Sequence, residues 1–172
     1  MNLHKEEHEI IKQSISKALF NLMEQQAFSD ITITQLVKKA GIARSTYYRN
    51  YCTKEDVLEE YIDDILQEFR SEYPVDTITY RFTTQHILRV LEYVSRYHKD
   101  LQTLHKCGLS SIFLDRVNHY LLRITSRETI SMEEKFDLYA YAGAEFNIIF
   151  HWLINDMKES PYEVADYLEK HR

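Results

Sequence analysis

The 172-residue sequence predicts an all-α protein, and three observations support this fold class. Apolar residues recur three and four positions apart along most of the chain, which is the pattern of amphipathic helices. Only three glycines and two prolines interrupt that pattern, and alternating stretches are confined to 30–34 and 77–82. We expect about nine helices, in an N-terminal domain of residues 1–52 and a C-terminal domain of residues 53–172 whose connecting helix spans 53–70.

Charge and cysteine content agree with a cytoplasmic protein that has a local nucleic-acid footprint. Residues 1–54 hold eight Lys or Arg and five Asp or Glu, a formal charge of +3, so the rest carries −9 of the total of −6. Phosphate contact needs positive charge only where the backbone is touched, although solvated faces produce the same imbalance by chance. Cys52 and Cys107 cannot make a disulfide framework, and the charged N-terminus does not fit a secretory signal.

The N-terminal third contains signals for three helices. The first has one apolar face and ends near Gln26. The second begins after Thr32, because Gln35 stands three residues further on in the spacing of a capping box, and it ends at Gly41. The third runs from about 43 to 51. Two short helices joined by a tight glycine turn have the form of a helix-turn-helix, whose second helix enters the major groove of DNA.

The side chains of the third helix suit contact with DNA. Arg44 can offer paired donors to a guanine edge, and Ser45 and Thr46 are short enough to bond bases or phosphates. The side chains able to reach the DNA backbone are Tyr47, Tyr48 and Arg49. The same spacing also fits a small helical hairpin with an incidental polar face, so the residues alone leave both interpretations open.

The stretch ITITQLVKKAGIARSTYYRNYCTKEDVLEEY, residues 31–61, resembles the DNA-binding region of the tetracycline-repressor (TetR) family. The residues that match the family pattern are Thr32, Leu36, Val37, Ala40, Gly41, Ile42, Thr46, Tyr47, Tyr48, Tyr51, Lys54, Glu55 and Leu58. The sequence departs from the usual residue types at Ala43, Asn50, Tyr51 and Cys52, so the family's base preference does not carry over. The resemblance covers roughly residues 8–60, and the remainder is similar only in length and helical pattern.

The resemblance implies a transcriptional regulator that binds an inverted repeat as a homodimer, represses, and is released by an effector. It implies base or groove contacts from the third helix and phosphate contacts from Tyr48 and Lys54. The N-terminus of the second helix can bind a phosphate through its free N–H groups, and Lys39 is either a phosphate contact or a solvated lysine. The predicted DNA-contact residues are Thr32, Thr34, Lys39, Arg44, Ser45, Thr46, Tyr47, Tyr48, Arg49 and Lys54.

A long apolar helix in the C-terminal half predicts a dimer interface. Residues 138–154, LYAYAGAEFNIIFHWLI, carry one formal charge, Glu145, and are apolar on nearly all sides. The run is shorter than the ~20 residues that span a membrane, so we expect a second subunit to cover its outer face. The expected interface residues are Tyr139, Gly143, Phe146, Phe150, Trp152 and Leu153. The resemblance implies that this helix and a last helix after Ser160 pair with their symmetry mates.

The resemblance also implies an effector pocket among the middle helices. The candidate lining residues are Tyr93, Tyr97, His98, Phe113, Tyr120 and His151, with ordinary core packing as the alternative for each. His98, His105 and Cys107 lack a recognisable ligand spacing, so we predict no metal and no cofactor. Control by a protein partner is the alternative to a small molecule. An enzyme is disfavoured because the sequence has no P-loop, Gly-rich nucleotide turn or nucleophile elbow.

Overall fold

The computed structural model describes residues 3–74, 83–124 and 130–171, and all regular structure in those ranges is helical. The all-α prediction is confirmed. The predicted alternating stretch 77–82 lies outside the described residues. The helices are α1 (Leu3–Met23), α2 (Ile33–Ala40), α3 (Arg44–Asn50), α4 (Lys54–Glu72), α5 (Thr84–Ser95), α6 (His98–Lys106), α7 (Ser110–Ile124), α8 (Met132–Ile154) and α9 (Pro161–Lys170), with a 3₁₀ turn at Phe28–Asp30.

Side-chain caps determine where several helices begin. The Thr32 hydroxyl accepts from the Gln35 backbone N–H at 3.2 Å, and the Gln35 side chain accepts from the Thr32 N–H at 2.8 Å. This is the predicted capping box at the start of α2. The same reciprocal arrangement starts α8 and α9, in the pairs Ser131 with Glu134 and Ser160 with Glu163. These polar pairs satisfy N–H groups that a helix leaves without a partner in its first turn.

The chain forms two compact units, residues 1–62 and 63–172. In the first unit α1 packs against α2, and α2 against α3. The first half of α4 belongs to this unit as well, because the Tyr61 ring lies 4.9 Å from the Phe20 ring and Glu60 accepts from Lys12 at 3.0 Å. The sequence-based boundary after residue 52 marks the start of α4, whereas packing places the division within that helix.

The second unit is organised around α8. The helices α6, α7 and α9 all pack against α8, and α5 packs against α9. The buried side chains of α8 are Leu138, Tyr141, Ala142, Ile149, Phe150, Trp152 and Leu153. Because the helix has neighbours within its own chain on several sides, its nearly continuous apolar sequence is mostly explained by intrachain packing.

Three of the six predicted interface residues are therefore core residues, and their assignment to the interface is wrong. Phe150 is 5%, Trp152 3% and Leu153 1% exposed. The Phe150 ring lies 5.4 Å from Phe113 of α7, and the Trp152 indole N–H donates to the Glu159 carbonyl at 2.8 Å. Side chains enclosed by their own chain cannot face a second subunit.

An apolar stripe nevertheless remains on the outside of the second unit. Among its described residues, the exposed large apolar side chains all lie on α8 or α9, and they are Met132, Phe136, Tyr139, Tyr162 and Tyr167. Those on α8 follow one another at spacings of four and three, and Gly143 continues the spacing. We call these five side chains the α8–α9 stripe. The three on α8 make one exposed apolar row at helical spacing, and such a row marks an interaction surface.

Candidate nucleic-acid interface

The turn between α2 and α3 has the geometry that the sequence predicts. Gly41 ends α2 with φ 71°, in the left-handed region where glycine has no Cβ to clash. The N–H of Ile42 returns to the Val37 carbonyl at 3.1 Å, and α3 begins two residues later at Arg44. Two short helices are thus joined by a three-residue turn, which is the arrangement of a helix-turn-helix.

The outward face of α3 is polar. The side chains of Arg44, Ser45, Tyr48 and Arg49 are exposed, and Thr46 is half-buried. Arg49 donates to the Thr46 hydroxyl at 3.4 Å, so two of these side chains are tied together along the helix. The face therefore presents two guanidinium groups and several hydroxyls, which are the donors that protein–DNA contacts use most.

The guanidinium of Arg44 is held in place by hydroxyl groups of both helices. Its Nη1 donates to Thr34 Oγ1 at 3.5 Å and its Nη2 to the Tyr48 hydroxyl at 3.2 Å. The guanidinium carbon also lies 5.5 Å from the centroid of the Tyr48 ring. Since these partners are neutral, they orient the guanidinium without neutralising its charge. Thr34, Arg44 and Tyr48 form one exposed cluster that joins α2 to α3.

The start of α2 lies in the same unit and presents polar groups. Thr32 and Thr34 are exposed, as is Lys39 nearer the end of the helix. The first-turn N–H groups of residues 33 and 34 have no carbonyl four positions before them within the helix. A helix start with this charge distribution attracts anions. Thr32, Thr34 and Lys39 thus remain available as candidates for phosphate contact.

Tyr47 is fully buried, so the prediction that it contacts the groove is wrong. Its hydroxyl donates to the Thr53 carbonyl at 2.7 Å, and its ring packs 5.6 Å from that of Tyr51. Burial raises the pKa of the Tyr47 hydroxyl, and the charge of Asp56 raises it further. One signal was present in the sequence: Tyr47 stands four residues before Tyr51, which places both on the inward face of the helix.

Lys54 points at main-chain oxygens of its own unit. Its ammonium donates to the carbonyls of Phe28 and Ile31 at 2.6 and 2.7 Å and lies 4.5 Å from the centroid of the Phe28 ring. Two of its three N–H donors are therefore used within the chain. The phosphate contact of Lys54 stays a prediction. Every residue type carries a main-chain carbonyl, so the sequence does not indicate that these two oxygens bind Lys54.

Two further contacts position α3, and sequence reasoning missed the one made by His8. His8 Nε2 lies 3.1 Å from Asn50 Oδ1, which connects α1 to the C-terminal end of α3. Asp56 accepts from the N–H groups of Cys52 and Thr53 at 2.7 and 2.9 Å, and the Thr53 hydroxyl also donates to it. That hydroxyl contact is the main reason why the pKa of Asp56 is lowered. The link between α3 and α4 is therefore held by a carboxylate.

The predicted effector-pocket residues have different surroundings in the second unit. The hydroxyls of Tyr93 and Tyr97 lie 3.2 and 3.0 Å from Glu68 Oε2, and burial raises the pKa of both phenols. His98 Nδ1 lies 3.2 Å from the Ser95 carbonyl. Tyr93 is 2% exposed, so it belongs to the packed interior.

The other predicted pocket residues contact α8 or solvent. Phe113 packs against Phe146 and Phe150, and Tyr120 packs on a core cluster around Leu121 of α7. His151 is exposed, and its place in an effector pocket stays a prediction. In the described part of the chain, no three His, Cys, Asp or Glu side chains meet as a metal site would require. None of the helices described is long and apolar enough to span a membrane.

Comparison with known proteins found no matching family model and no significant match to a curated protein sequence. Solved structures match over almost the whole chain. Lin0861 of Listeria innocua has a TM-score of 0.79 and 18% identity, covering 99% of this chain and 91% of that one. The dihydroxyacetone kinase operon activator DhaS has a TM-score of 0.58 and 20% identity, covering 93% and 92%.

A Syntrophomonas wolfei protein assigned to the TetR family of transcriptional regulators has a TM-score of 0.63 and 12% identity, covering 95% of this chain and 93% of that one. At such identities the likeness concerns the fold. The chain has a TetR-like fold, as the resemblance of residues 31–61 implied.

Proposed function

We propose that the protein is a cytoplasmic transcriptional regulator that binds double-stranded DNA with α3 in the major groove. The observation that carries this proposal is the polar outward face of α3, where Arg44 is oriented by Thr34 and Tyr48 without losing its charge. A regulator fold and a weakly basic N-terminal third support it. The proposed contact residues are Thr32, Thr34, Lys39, Arg44, Ser45, Thr46, Tyr48 and Arg49.

The regulator acts as a homodimer through the α8–α9 stripe in this proposal. Met132 and Tyr162 are each 71% exposed and Phe136 60%, so the stripe offers apolar area that water contacts in a single chain. A two-fold pairing of identical stripes buries that area on both partners at once. Such a dimer reads an inverted repeat whose half-sites lie one DNA turn apart, about 34–36 Å. A single α3 reads too few base pairs for a unique site.

Repression and release by a small-molecule effector complete the proposal, by extension from the family resemblance. Control by a protein partner is the second candidate, and one observation favours it. Tyr93 and Phe113, the predicted pocket residues at the centre of the unit, are 2% and 7% exposed and packed against other side chains.

Selection of genomic fragments by the purified full-length protein, followed by sequencing, tests the DNA-binding proposal. We expect enrichment of an inverted repeat, with a strong loss of affinity between low and physiological salt. An Arg44→Ala variant serves as the matched control and should enrich the same site poorly. If no fragment is enriched even at low salt, the proposal is overturned.

A further inference from the structure

The contacts of Lys54 raise the question of what this residue does for DNA binding. Lys54 is the first residue of α4, and its ammonium reaches back to the link between α1 and α2. That link contains the 3₁₀ turn Phe28–Asp30, followed by the buried Ile31. Thus a side chain from α4 crosses to main-chain atoms more than twenty residues earlier in the sequence.

The two carbonyls are suited to receive a cation. Phe28 and Ile31 are 9% and 2% exposed, so their main-chain oxygens lie in a segment with little access to water. The Phe28 oxygen also accepts from the Ile31 N–H at 3.2 Å, and its second lone pair is free to accept from Lys54. The ammonium supplies charge-assisted hydrogen bonds at 2.6 and 2.7 Å, which are stronger than neutral ones. The Phe28 ring, 4.5 Å away, adds a cation–π contact. Lys54 therefore has three partners in one small segment.

This segment leads directly into α2. The residue after Ile31 is Thr32, the N-cap of α2, whose hydroxyl accepts from Gln35 and whose carbonyl accepts from Leu36. Any displacement of the Ile31 carbonyl moves the peptide unit to which Thr32 is bonded. The Lys54 ammonium is therefore bound to the residue immediately before the α2 N-cap.

We propose that Lys54 is a positioning residue: it fixes the α1–α2 link through the Phe28 and Ile31 carbonyls, and so presents the start of α2 to a DNA phosphate. The inference rests on the proposed function, since it assumes that α2 and α3 meet DNA. It differs from a phosphate contact in one measurable respect. An ammonium that is bound to carbonyls releases no DNA counterion when the complex forms, so it does not contribute to the salt dependence of binding.

The first test is the salt dependence of binding by Lys54→Met, which keeps a long apolar stem and removes the donors. We expect roughly tenfold weaker binding, the cost of a hydrogen bond to a charged donor, with a slope of log K against log salt that stays close to that of the wild type. A lost phosphate contact would change the slope by about 0.9. That change, or wild-type affinity in the variant, overturns the proposal.

A second variant keeps the test valid if Lys54→Met folds poorly. Phe28→Leu leaves the charge of Lys54 in place and removes only the aromatic ring beneath its ammonium. Positioning predicts binding weaker by about two- to fivefold, the size of a modest cation–π contact, at an unchanged slope. Unaltered affinity in Phe28→Leu, together with a lower slope in Lys54→Met, would assign Lys54 to the phosphate backbone instead.

Amide hydrogen exchange of the protein without DNA distinguishes a local positioning role from a general loss of stability. In Lys54→Met we expect faster exchange at Gln35 and Leu36, whose N–H groups bond to Thr32, and unchanged exchange in the core of α1 around Leu19. Lys39→Met removes the same charge from an exposed position and should change neither. Uniformly faster exchange throughout the unit contradicts positioning. If the wild type does not bind DNA, the proposed function is overturned. The exchange experiment still tests whether Lys54 holds the α1–α2 link, because it is done without DNA.

Discussion

The two helices that the sequence singled out, α3 and α8, differ in which of their side chains the fold encloses. Of the seven side chains of α3, Tyr47 is buried and the other six are exposed or half-buried. The 23 residues of α8 bury seven, from Leu138 to Leu153. In α3 the polar residues therefore lie on the outward face, where we propose the DNA contacts. In α8 the apolar residues mostly form the core, and only its outer stripe remains for a partner.

This difference shows how the composition of a helix should be interpreted. A polar face on a short helix fits both a solvated surface and a binding surface, and in α3 the orientation of Arg44 by neutral hydroxyls favours the second. An apolar helix can be buried either by its own chain or by another subunit, and its sequence does not distinguish the two cases. Three variants test the comparison between α3 and α8, and a fourth tests the link between α3 and α4; they are given from the largest expected effect to the smallest.

Truncation of a core side chain in α8 should have the largest effect. We expect Trp152→Ala to lower the free energy of unfolding by about 3–5 kcal/mol, because it leaves a cavity and an unpaired Glu159 carbonyl. Chemical denaturation followed by circular dichroism measures the change. His119→Ala, on an exposed position of α7, is the control and should stay within about 0.5 kcal/mol. If Trp152→Ala dissociates the dimer and leaves the free energy of unfolding unchanged, Trp152 is an interface residue after all.

A charge placed in the α8–α9 stripe should separate the two subunits. We expect Phe136→Glu to raise the dimer dissociation constant by on the order of 30-fold or more, since a buried aromatic anchor contributes about 2 kcal/mol or more to association. Analytical ultracentrifugation over a concentration series measures it. The neighbouring Asp137→Ala should leave the constant nearly unchanged. An unaltered dimer in Phe136→Glu would place the interface elsewhere.

Removal of the oriented guanidinium of α3 should weaken DNA binding and relax base preference at one position. We expect Arg44→Ala to cost about 1–3 kcal/mol of binding free energy, the usual range for a bidentate contact to guanine. Fluorescence anisotropy with the selected site and its single-base variants measures both effects. Tyr47→Phe should lose about 1 kcal/mol of stability with its hydrogen bond to Thr53 and keep the base preference. Equal loss of preference in both variants would contradict the division between outward and inward residues.

The carboxylate at the start of α4 should give a small pH dependence of stability. The pKa of Asp56 is lowered mainly by its hydrogen bond with the Thr53 hydroxyl, so the unfolded chain binds this proton more readily than the folded one. The stabilisation is therefore complete above the ordinary pKa of 3.8 and is lost as the pH falls below it. We expect less than about 1 kcal/mol, because solvent screens the group. Thermal unfolding of Asp56→Asn should show a shallower acid limb, and an identical limb would contradict the assignment.

Local signals were sufficient for the elements of the fold. The capping box of Thr32 and Gln35 and the left-handed Gly41 were predictable because each depends on residues that lie within a few positions of one another. The outward arginines of α3 were predictable for the same reason. Tyr47 was misassigned because a tyrosine in the third helix can reach the DNA backbone and the resemblance added it to the groove contacts, although its spacing from Tyr51 indicated an inward direction.

The contacts of Lys54 and the division of α8 could not be predicted in this way. Lys54 bonds to carbonyls of Phe28 and Ile31, and every residue type carries a carbonyl. Trp152 and Leu153 are enclosed by elements distant in the sequence, so their burial depends on how α6, α7 and α9 pack around α8. Both facts concern long-range neighbours, about which periodicity carries no information.

The sequence by itself determined the helical fold class, the bounds of the short N-terminal helices and the polar character of α3, because these depend on local geometry and on hydrophobic period. Only the tertiary structure decided which face of α8 is left outside and where the ammonium of Lys54 lies. The physical reason is that burial and hydrogen bonding to main-chain oxygens are properties of three-dimensional neighbours. A residue's type limits those neighbours without selecting them.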